Sequence, residues 1–192
     1  TGNGIQKSLN LIKKKFPDLK IKKIKSKKKV FDWSVPPEWN VKDASITDEN
    51  DKKIIDFKIN NLHLVGFSQR INKTVDKKEL LKHLHFRKDL PDAIPYVTSY
   101  YKKYWGFCIS YNQYKKILKK YNNTSKFKIN IDTNFNKNGN LQYGELILKG
   151  KTKNEIIVST YLCHPSMANN ELSGPIVSMN LINYFSKKKK EK

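Results

Sequence analysis

The sequence predicts a mixed α/β protein, and three features of its hydrophobic patterning support that class. Residues 4–16 carry apolar side chains at helical spacing, and residues 19–67 break into short runs of β-type residues. Residues 156–162 form a nearly continuous apolar run that leads, through a polar loop, into a further helical segment. A continuous apolar run is typical of a strand buried on both faces of a sheet, and helices cover such sheets in α/β proteins.

The first half of the chain is predicted to be a helix followed by a β-rich region. The helix over 4–16 ends at Pro17, which cannot continue it. The short runs within 19–67 are separated by polar breaks such as residues 48–51, which predicts an antiparallel sheet or a small sandwich. Asp76 followed by Glu79 is a variant of the capping box, and it predicts a short helix that continues to Leu84.

The second half is predicted to alternate between helices and strands. Asn138-Gly139 is a strong turn signal, so the strands on either side of it are expected to form a β-hairpin. The terminal lysine-rich run is expected to be a solvated tail. In chain order the predicted elements are a helix at 111–120, a strand at 127–132, a strand at 141–148, a central strand at 156–162, a helix at 174–185 and the tail at 187–192.

The net charge of +22 does not by itself indicate a nucleic-acid partner. Arginine occurs only at Arg70 and Arg87, and all other basic residues are lysine, spread over several predicted elements. Phosphate and base recognition favour the arginine fork, so we expect no nucleic-acid partner. No run of 18 apolar residues exists, so we expect no membrane partner either. Cys108 and Cys163 lack CxxC spacing and are predicted to be free, buried thiols of a cytoplasmic protein.

His164 is the candidate metal ligand because it follows the predicted central strand and precedes an asparagine-rich loop. Ligands collect where the strands of open α/β sheets end, although a lone histidine there can also bond a backbone carbonyl. His83 and His85 would share a face on a strand but diverge on a helix, and the helical pattern leads into them. His63 alternates with leucines and is predicted to lie on a polar face.

Several motifs in order resemble those of the zinc aminopeptidase superfamily. More closely, they resemble a bacterial group of aminopeptidase-like proteins of unassigned function, in which an inserted β-rich domain interrupts the core. The resemblance covers nearly the whole chain. It rests on the segments 1–5, 35–39 (Val-Pro-Pro-Glu-Trp), 90–101, 105–108 (Trp-Gly-Phe-Cys) and 163–166 (Cys-His-Pro-Ser).

The resemblance implies a zinc-exopeptidase-like three-layer core, of which this chain would be an N-terminal fragment. Residues 1–18 would be the first helix of the core, 19–95 the inserted β-rich domain, and 96–192 the start of the remaining core. A glutamate acting as general base would then lie beyond residue 192. The segment 96–108 is rich in aromatic residues, and Tyr100 and Trp105 are the candidate substrate-binding residues; a half-buried strand pair would use the same residues.

The resemblance also implies a zinc site that includes His164. Four residues before Gly174, where the superfamily has a bridging aspartate, this chain has Asn170, whose neutral amide bridges two cations poorly. Glu171 is an alternative ligand, although adjacent residues diverge. The expected function is a metal-dependent aminopeptidase-like hydrolase acting on a peptide or an amide-containing small molecule. The alternative is an inactive binding or assembly module on the same scaffold.

Overall fold

The computed structural model describes residues 1–190, with side chains for residues 1–188. The chain forms two compact units. The outer unit combines Thr1–Glu38 with the chain from Asn138 onward, and the inner unit is Trp39–Lys137. The resemblance implies an inserted segment at 19–95. The compact inner unit begins later and ends later, because residues 20–25 pair with residues 140–145 within the outer unit.

Helices occur in both units, and strands form four small sheets. The helices are α1 (Asn3–Lys15), α2 (Lys77–Lys82), α3 (Tyr111–Lys120) and α4 (Ala168–Lys190), with a 3₁₀ turn at Asn61–His63. The strands are β1 (Lys20–Lys25), β2 (Lys29–Val30), β3 (Trp33–Ser34), β4 (Glu38–Asp48), β5 (Lys53–Asp56), β6 (Ile71–Asp76), β7 (Leu84–His85), β8 (Phe107–Cys108), β9 (Lys126–Asn136) and β10 (Asn140–Glu145). The mixed α/β class is therefore confirmed.

The inner unit is built on a four-stranded sheet in the order β5-β4-β9-β6. Strand β6 runs antiparallel to β9, from Ile71 opposite Ile131 to Asp76 opposite Lys126. The first residues of β9 alternate between exposed and buried, as the period-2 pattern predicts. Their buried members, Phe127, Ile129 and Ile131, belong to the hydrophobic core of this unit.

Side-chain caps begin both helices of the inner unit, and the predicted cap at Asp76 is confirmed, although α2 ends at Lys82 and Leu84 lies in β7. The side chain of Asp76 accepts a hydrogen bond from the backbone N–H of Glu79 at the start of α2. Ser110 and Gln113 form a reciprocal capping box at the start of α3. These bonds satisfy N–H groups that have no partner within the first turn of a helix.

The predicted hairpin across Asn138-Gly139 is wrong. Strand β9 pairs with β4 and β6 in the inner unit, whereas β10 pairs with β1 in the outer unit. The turn therefore carries the chain from one unit into the other and does not join two paired strands. Helix α1, predicted over 4–16, is confirmed, and it packs on β10.

The predicted central strand at 156–162 is also wrong. This stretch has no assigned strand, and Ile156 and Ile157 are 93% and 85% exposed. A central strand requires a neighbour on each edge, and no strand within residues 1–190 pairs with this stretch. The following helix begins at Ala168, before the predicted start at Gly174, and it contains Pro175.

Among the described residues, no helix is long and apolar enough to cross a membrane. The lysine-rich run predicted as a solvated tail continues α4 as far as Lys190. Residues 191–192 of that run lie outside the described residues.

Candidate metal centre

The candidate site lies in the outer unit, where residues 160–164 run beside the first turns of α4. The two segments approach each other closely at Gly174. A Cβ built on Gly174 would lie 2.1 Å from Oγ1 of Thr160 and 3.1 Å from its Cβ. Only glycine lets the helix approach Thr160 this closely, which explains the Ser-Gly pair at this point of the sequence.

A tight turn at Pro165-Ser166 brings the chain from His164 back into α4. Ser166 has a φ of 55°, in the left-handed region, and the first turn of α4 closes with a hydrogen bond from the N–H of Glu171 to the carbonyl of Met167. Pro175 has no N–H, so the carbonyl of Glu171 receives no helical bond from that position. The turn and the helix start together place His164 above the first turn of α4.

His164 contacts two consecutive side chains of α4. Its Nδ1 lies 2.7 Å from Oε1 of Glu171 and 3.2 Å from Oδ1 of Asn170. Adjacent residues of a helix do point about 100° apart, but the imidazole lies within reach of both side chains. Glu171 therefore reaches the imidazole despite its divergence from Asn170, and its role as an alternative metal ligand stays a prediction.

Glu171 is the buried member of this cluster, with 5% of its surface exposed. Its second oxygen, Oε2, accepts a hydrogen bond of 2.5 Å from the backbone N–H of Cys163, and Oε1 lies 3.7 Å from the Cys163 Sγ. Burial raises the pKa of the Cys163 thiol, and the neighbouring Glu171 carboxylate raises it further. Cys163 is exposed, so the prediction of two buried thiols holds only for Cys108.

Cys163, His164 and Glu171 offer a sulfur, a nitrogen and an oxygen donor, and these atoms all lie within 4.8 Å of one another. Thiolate, imidazole and carboxylate are the ligand types that zinc takes in proteins, and a tetrahedral ion needs four ligands at about 2.0–2.3 Å. The three donors therefore match zinc in their chemistry, and the direct contact between His164 and Glu171 would have to open to admit an ion between them. Within the described residues this is the single such group of three.

Asn170 has a second partner in addition to His164. The hydroxyl of Tyr161 lies 3.3 Å from the Asn170 Oδ1, and the ring of Tyr161 meets the imidazole edge-on at 6.2 Å. Tyr161 thus holds both the amide and the imidazole from the side of the extended segment. Neither the tyrosine nor the cysteine was singled out from the sequence as part of a site.

The other three histidines lie in the inner unit, and each has its own partner. His63 is buried, so the predicted polar-face position is wrong, and its Nδ1 donates to the Cys108 carbonyl at 2.7 Å. His83 donates through Nδ1 to the Trp105 carbonyl, and His85 lies 2.8 Å from the Tyr104 hydroxyl through Nε2. Burial lowers the pKa of both His63 and His85. These bonds explain the histidines as parts of the fold.

The two candidate substrate-binding residues also lie in the inner unit, in different surroundings. Tyr100 is half exposed, has a φ of 42°, and packs its ring 5.2 Å from that of Phe67. Trp105 is 9% exposed, belongs to the hydrophobic core, and stacks on His83 at 3.6 Å. A substrate role for either residue stays a prediction.

The chain matches the family model described as "Domain of unknown function (DUF2172)" over residues 38–134, which is just over half of its length. It therefore belongs to that family, and the match covers nearly all of the inner unit.

Two relatives from Clostridium acetobutylicum extend the likeness to the outer unit. One is named "Putative polysaccharide biosynthesis protein with aminopeptidase-like domain"; it is 43% identical over 174 residues, which is 91% of this chain and 38% of that protein. The other is a crystal structure described as that of a putative peptidase, with a TM-score of 0.89, 41% identity, and coverage of 97% of this chain and 43% of that one. The fold is thus similar to that of a peptidase-like protein, and the chain spans less than half the length of each relative.

Proposed function

We propose that this chain supplies the first metal ligands of a zinc-dependent, aminopeptidase-like hydrolase that cleaves a peptide or another amide bond. The observation that carries the proposal is the contact of 2.7 Å between the His164 Nδ1 and the Oε1 of the buried Glu171. A carboxylate beside an imidazole at the start of a helix offers two zinc-ligand atoms on adjoining segments. The names of the two relatives support a peptidase-like activity.

In this proposal His164 and Glu171 hold the ion, with Cys163 as a further donor. A zinc ion bound there supplies Lewis acidity, which polarises an amide carbonyl and makes water acidic near neutral pH. Asn170 occupies the position at which the resemblance implies an aspartate, so its amide NH2 can donate to a substrate oxygen. Tyr161 orients that amide through its contact with Oδ1.

Two further features belong to the proposal. Because the chain spans 38% and 43% of its relatives, the activity of the whole protein and its three-layer core are inferred for a longer molecule. The name of the first relative supports an amide carried by a sugar intermediate as a substrate, beside a peptide.

The alternative, an inactive binding or assembly module, is favoured by one specific observation. Both oxygens of Glu171 already have partners within the chain, the His164 imidazole and the Cys163 N–H. A buried carboxylate that is satisfied in this way is stable without an ion. In this alternative the His164–Glu171 pair simply fastens the extended segment to α4.

Zinc analysis of the full-length protein separates the two. The enzyme hypothesis expects bound zinc and amide hydrolysis, both of which Glu171→Gln and His164→Ala reduce, while Glu155→Gln, an exposed change in the same unit, leaves both intact. A full-length protein that contains no zinc, or whose zinc content is the same in both site variants, would support the binding module.

A further inference from the structure

A small hairpin in the outer unit carries an exposed aromatic tip. Strands β2 and β3 pair Lys29 with Ser34 and Val30 with Trp33, which leaves Phe31 and Asp32 as a two-residue loop. Phe31 is 98% exposed and has a φ of 53°. Trp33, at the base of the loop, is 40% exposed.

Packing within the chain does not explain why a phenylalanine, Phe31, lies at the tip of this hairpin. Two-residue hairpin loops place left-handed backbone angles at positions that normally take glycine or asparagine, because a side chain there is strained. Phe31 therefore carries the strain of a left-handed residue, and its ring gains almost no burial in return. Strained residues of this kind concentrate where a protein binds something.

The surroundings of the tip are strongly cationic. Lys27, Lys28 and Lys29 are exposed just before Phe31, and Asp32 is the one acidic residue between positions 19 and 37. In that span the lysines are Lys20, Lys22, Lys23, Lys25, Lys27, Lys28 and Lys29. Of these, Lys22 forms an ion pair with Glu145.

We propose that this hairpin attaches the protein to the surface of an anionic lipid bilayer. Aromatic side chains favour the headgroup level of a bilayer, and each nearby lysine gains from the negative surface potential. Insertion of Phe31 buries a ring that the fold leaves in water, and Trp33 follows it to the interface. Such attachment needs no membrane-spanning helix, and it holds whether or not the proposed hydrolase activity is correct.

The residue types favour lipid over nucleic acid as the partner. The cationic residues of the hairpin are all lysine, whereas phosphate recognition in nucleic acids favours the bidentate fork of arginine. A bilayer surface also takes up the two aromatic rings and the lysines at once, because the rings enter below the plane of the charges.

Sedimentation of the full-length protein with vesicles tests this attachment. Vesicles of phosphatidylcholine alone are compared with vesicles that also contain phosphatidylserine, at low and at high salt. We expect binding to the anionic vesicles, with partitioning reduced about tenfold in Phe31→Gly. Glycine suits the left-handed position, so this variant should fold at least as well as the original chain.

Two controls separate the hairpin from the general positive charge of the chain. Ile59→Gly removes another exposed apolar side chain, and it should bind as the original does. Changing Lys27, Lys28 and Lys29 to glutamine should weaken partitioning on the order of a hundredfold. The same change at three exposed lysines of α3, Lys115, Lys116 and Lys119, should have a much smaller effect.

Any of three binding results would overturn the proposal. They are unchanged binding of Phe31→Gly, equal losses from the two lysine triples, and binding to RNA but not to anionic vesicles. A blue shift of tryptophan fluorescence on vesicle addition that disappears in Trp33→Tyr would support insertion of the hairpin. A blue shift that Trp33→Tyr leaves unchanged would count against it.

Discussion

Oε1 of Glu171 lies closer to the His164 Nδ1 than does Oδ1 of Asn170, at 2.7 Å against 3.2 Å. The carboxylate partner of the imidazole is thus Glu171, one residue after Asn170, the position at which the resemblance implies an aspartate. Glu171 is also the buried one of the two, which strengthens its attraction to a cation because the surroundings screen it less.

Single substitutions of Glu171 and Asn170 give a first prediction, on zinc affinity. Glu171→Gln should lower the zinc affinity of the full-length protein about tenfold or more, since it removes the charge beside His164. Asn170→Ala should lower it less, and Asn170→Asp should raise it, because a second carboxylate then faces the imidazole. Competition with a chromogenic zinc chelator measures all three. An Asn170→Ala loss equal to that of Glu171→Gln would contradict this ranking.

Gly174 supplies a second prediction, on stability. Gly174→Ala places a Cβ within 2.1 Å of the Thr160 Oγ1 and should destabilise the outer unit by about 1–3 kcal/mol, although alanine favours helices. Thr160→Gly should recover much of that loss in the double variant. A thermal double-mutant cycle measures the coupling, and additive effects would show that the two positions do not meet.

Lys77 gives a third prediction, because it is a buried lysine that bonds backbone carbonyls. Its Nζ donates to the carbonyl of Leu118 at 3.0 Å and to that of Tyr121 at 2.5 Å, at the end of α3. Lys77→Met keeps the apolar stem and removes the donor, so it should lower the free energy of unfolding by about 1–3 kcal/mol. Lys78→Met, at the exposed neighbouring position, is the matched control and should have little effect in urea unfolding.

Local signals were sufficient for much of the fold. The helix over 4–16, the Asp76–Glu79 cap and the alternation in β9 each depend on residues that are close in sequence, and each is confirmed. The errors at Asn138-Gly139 and 156–162 have one cause. Apolar pattern and turn residues show that a strand is suitable, but they do not show which strand it pairs with.

The candidate site was predictable in part for the same reason. His164 was singled out because its position follows an apolar run, and its Nδ1 lies 3.2 Å from the Asn170 Oδ1, while their role as metal ligands stays a prediction. The role of Glu171 depended on where the turn at Ser166 directs the imidazole, and no sequence pattern specifies that. The sequence shows Gly174 as part of a Ser-Gly pair, but it does not show that this glycine packs against Thr160.

A buried carboxylate in the inner unit provides the fourth prediction, on acid stability. Asp48 is fully buried; its Oδ1 accepts from the N–H groups of Asn50 and Lys52, and its Oδ2 accepts from the Tyr121 hydroxyl at 2.7 Å. The Tyr121 hydrogen bond is the main cause that lowers the pKa of Asp48 to about 2, from an ordinary value of 3.8. Lys120 adds a longer bond of 3.3 Å to the same oxygen.

The sign of the pH dependence follows from that lowered pKa. Because the folded state holds Asp48 ionised more strongly than the unfolded state does, its contribution is complete above about pH 4 and is lost as the pH falls toward 2. In Asp48→Asn, the amide presents either its NH2 group or its oxygen, a weaker acceptor than a carboxylate, to the two backbone N–H donors. The substitution should therefore lower the free energy of unfolding by about 1–3 kcal/mol at neutral pH. The difference in free energy of unfolding between the original chain and this variant should shrink between pH 4 and pH 2.

Urea unfolding at a series of pH values measures this difference, with the exposed Asp18→Asn as the matched control. Tyr121→Phe should raise the pKa of Asp48 and move the loss of stability to higher pH, because the strongest donor is removed while the two backbone donors remain. A difference between Asp48→Asn and the original chain that stays constant down to pH 2 would show that Asp48 has the same pKa in the folded and unfolded states, against the lowered value. In that case the hydrogen bonds from Tyr121 and the backbone would not favour the ionised carboxylate.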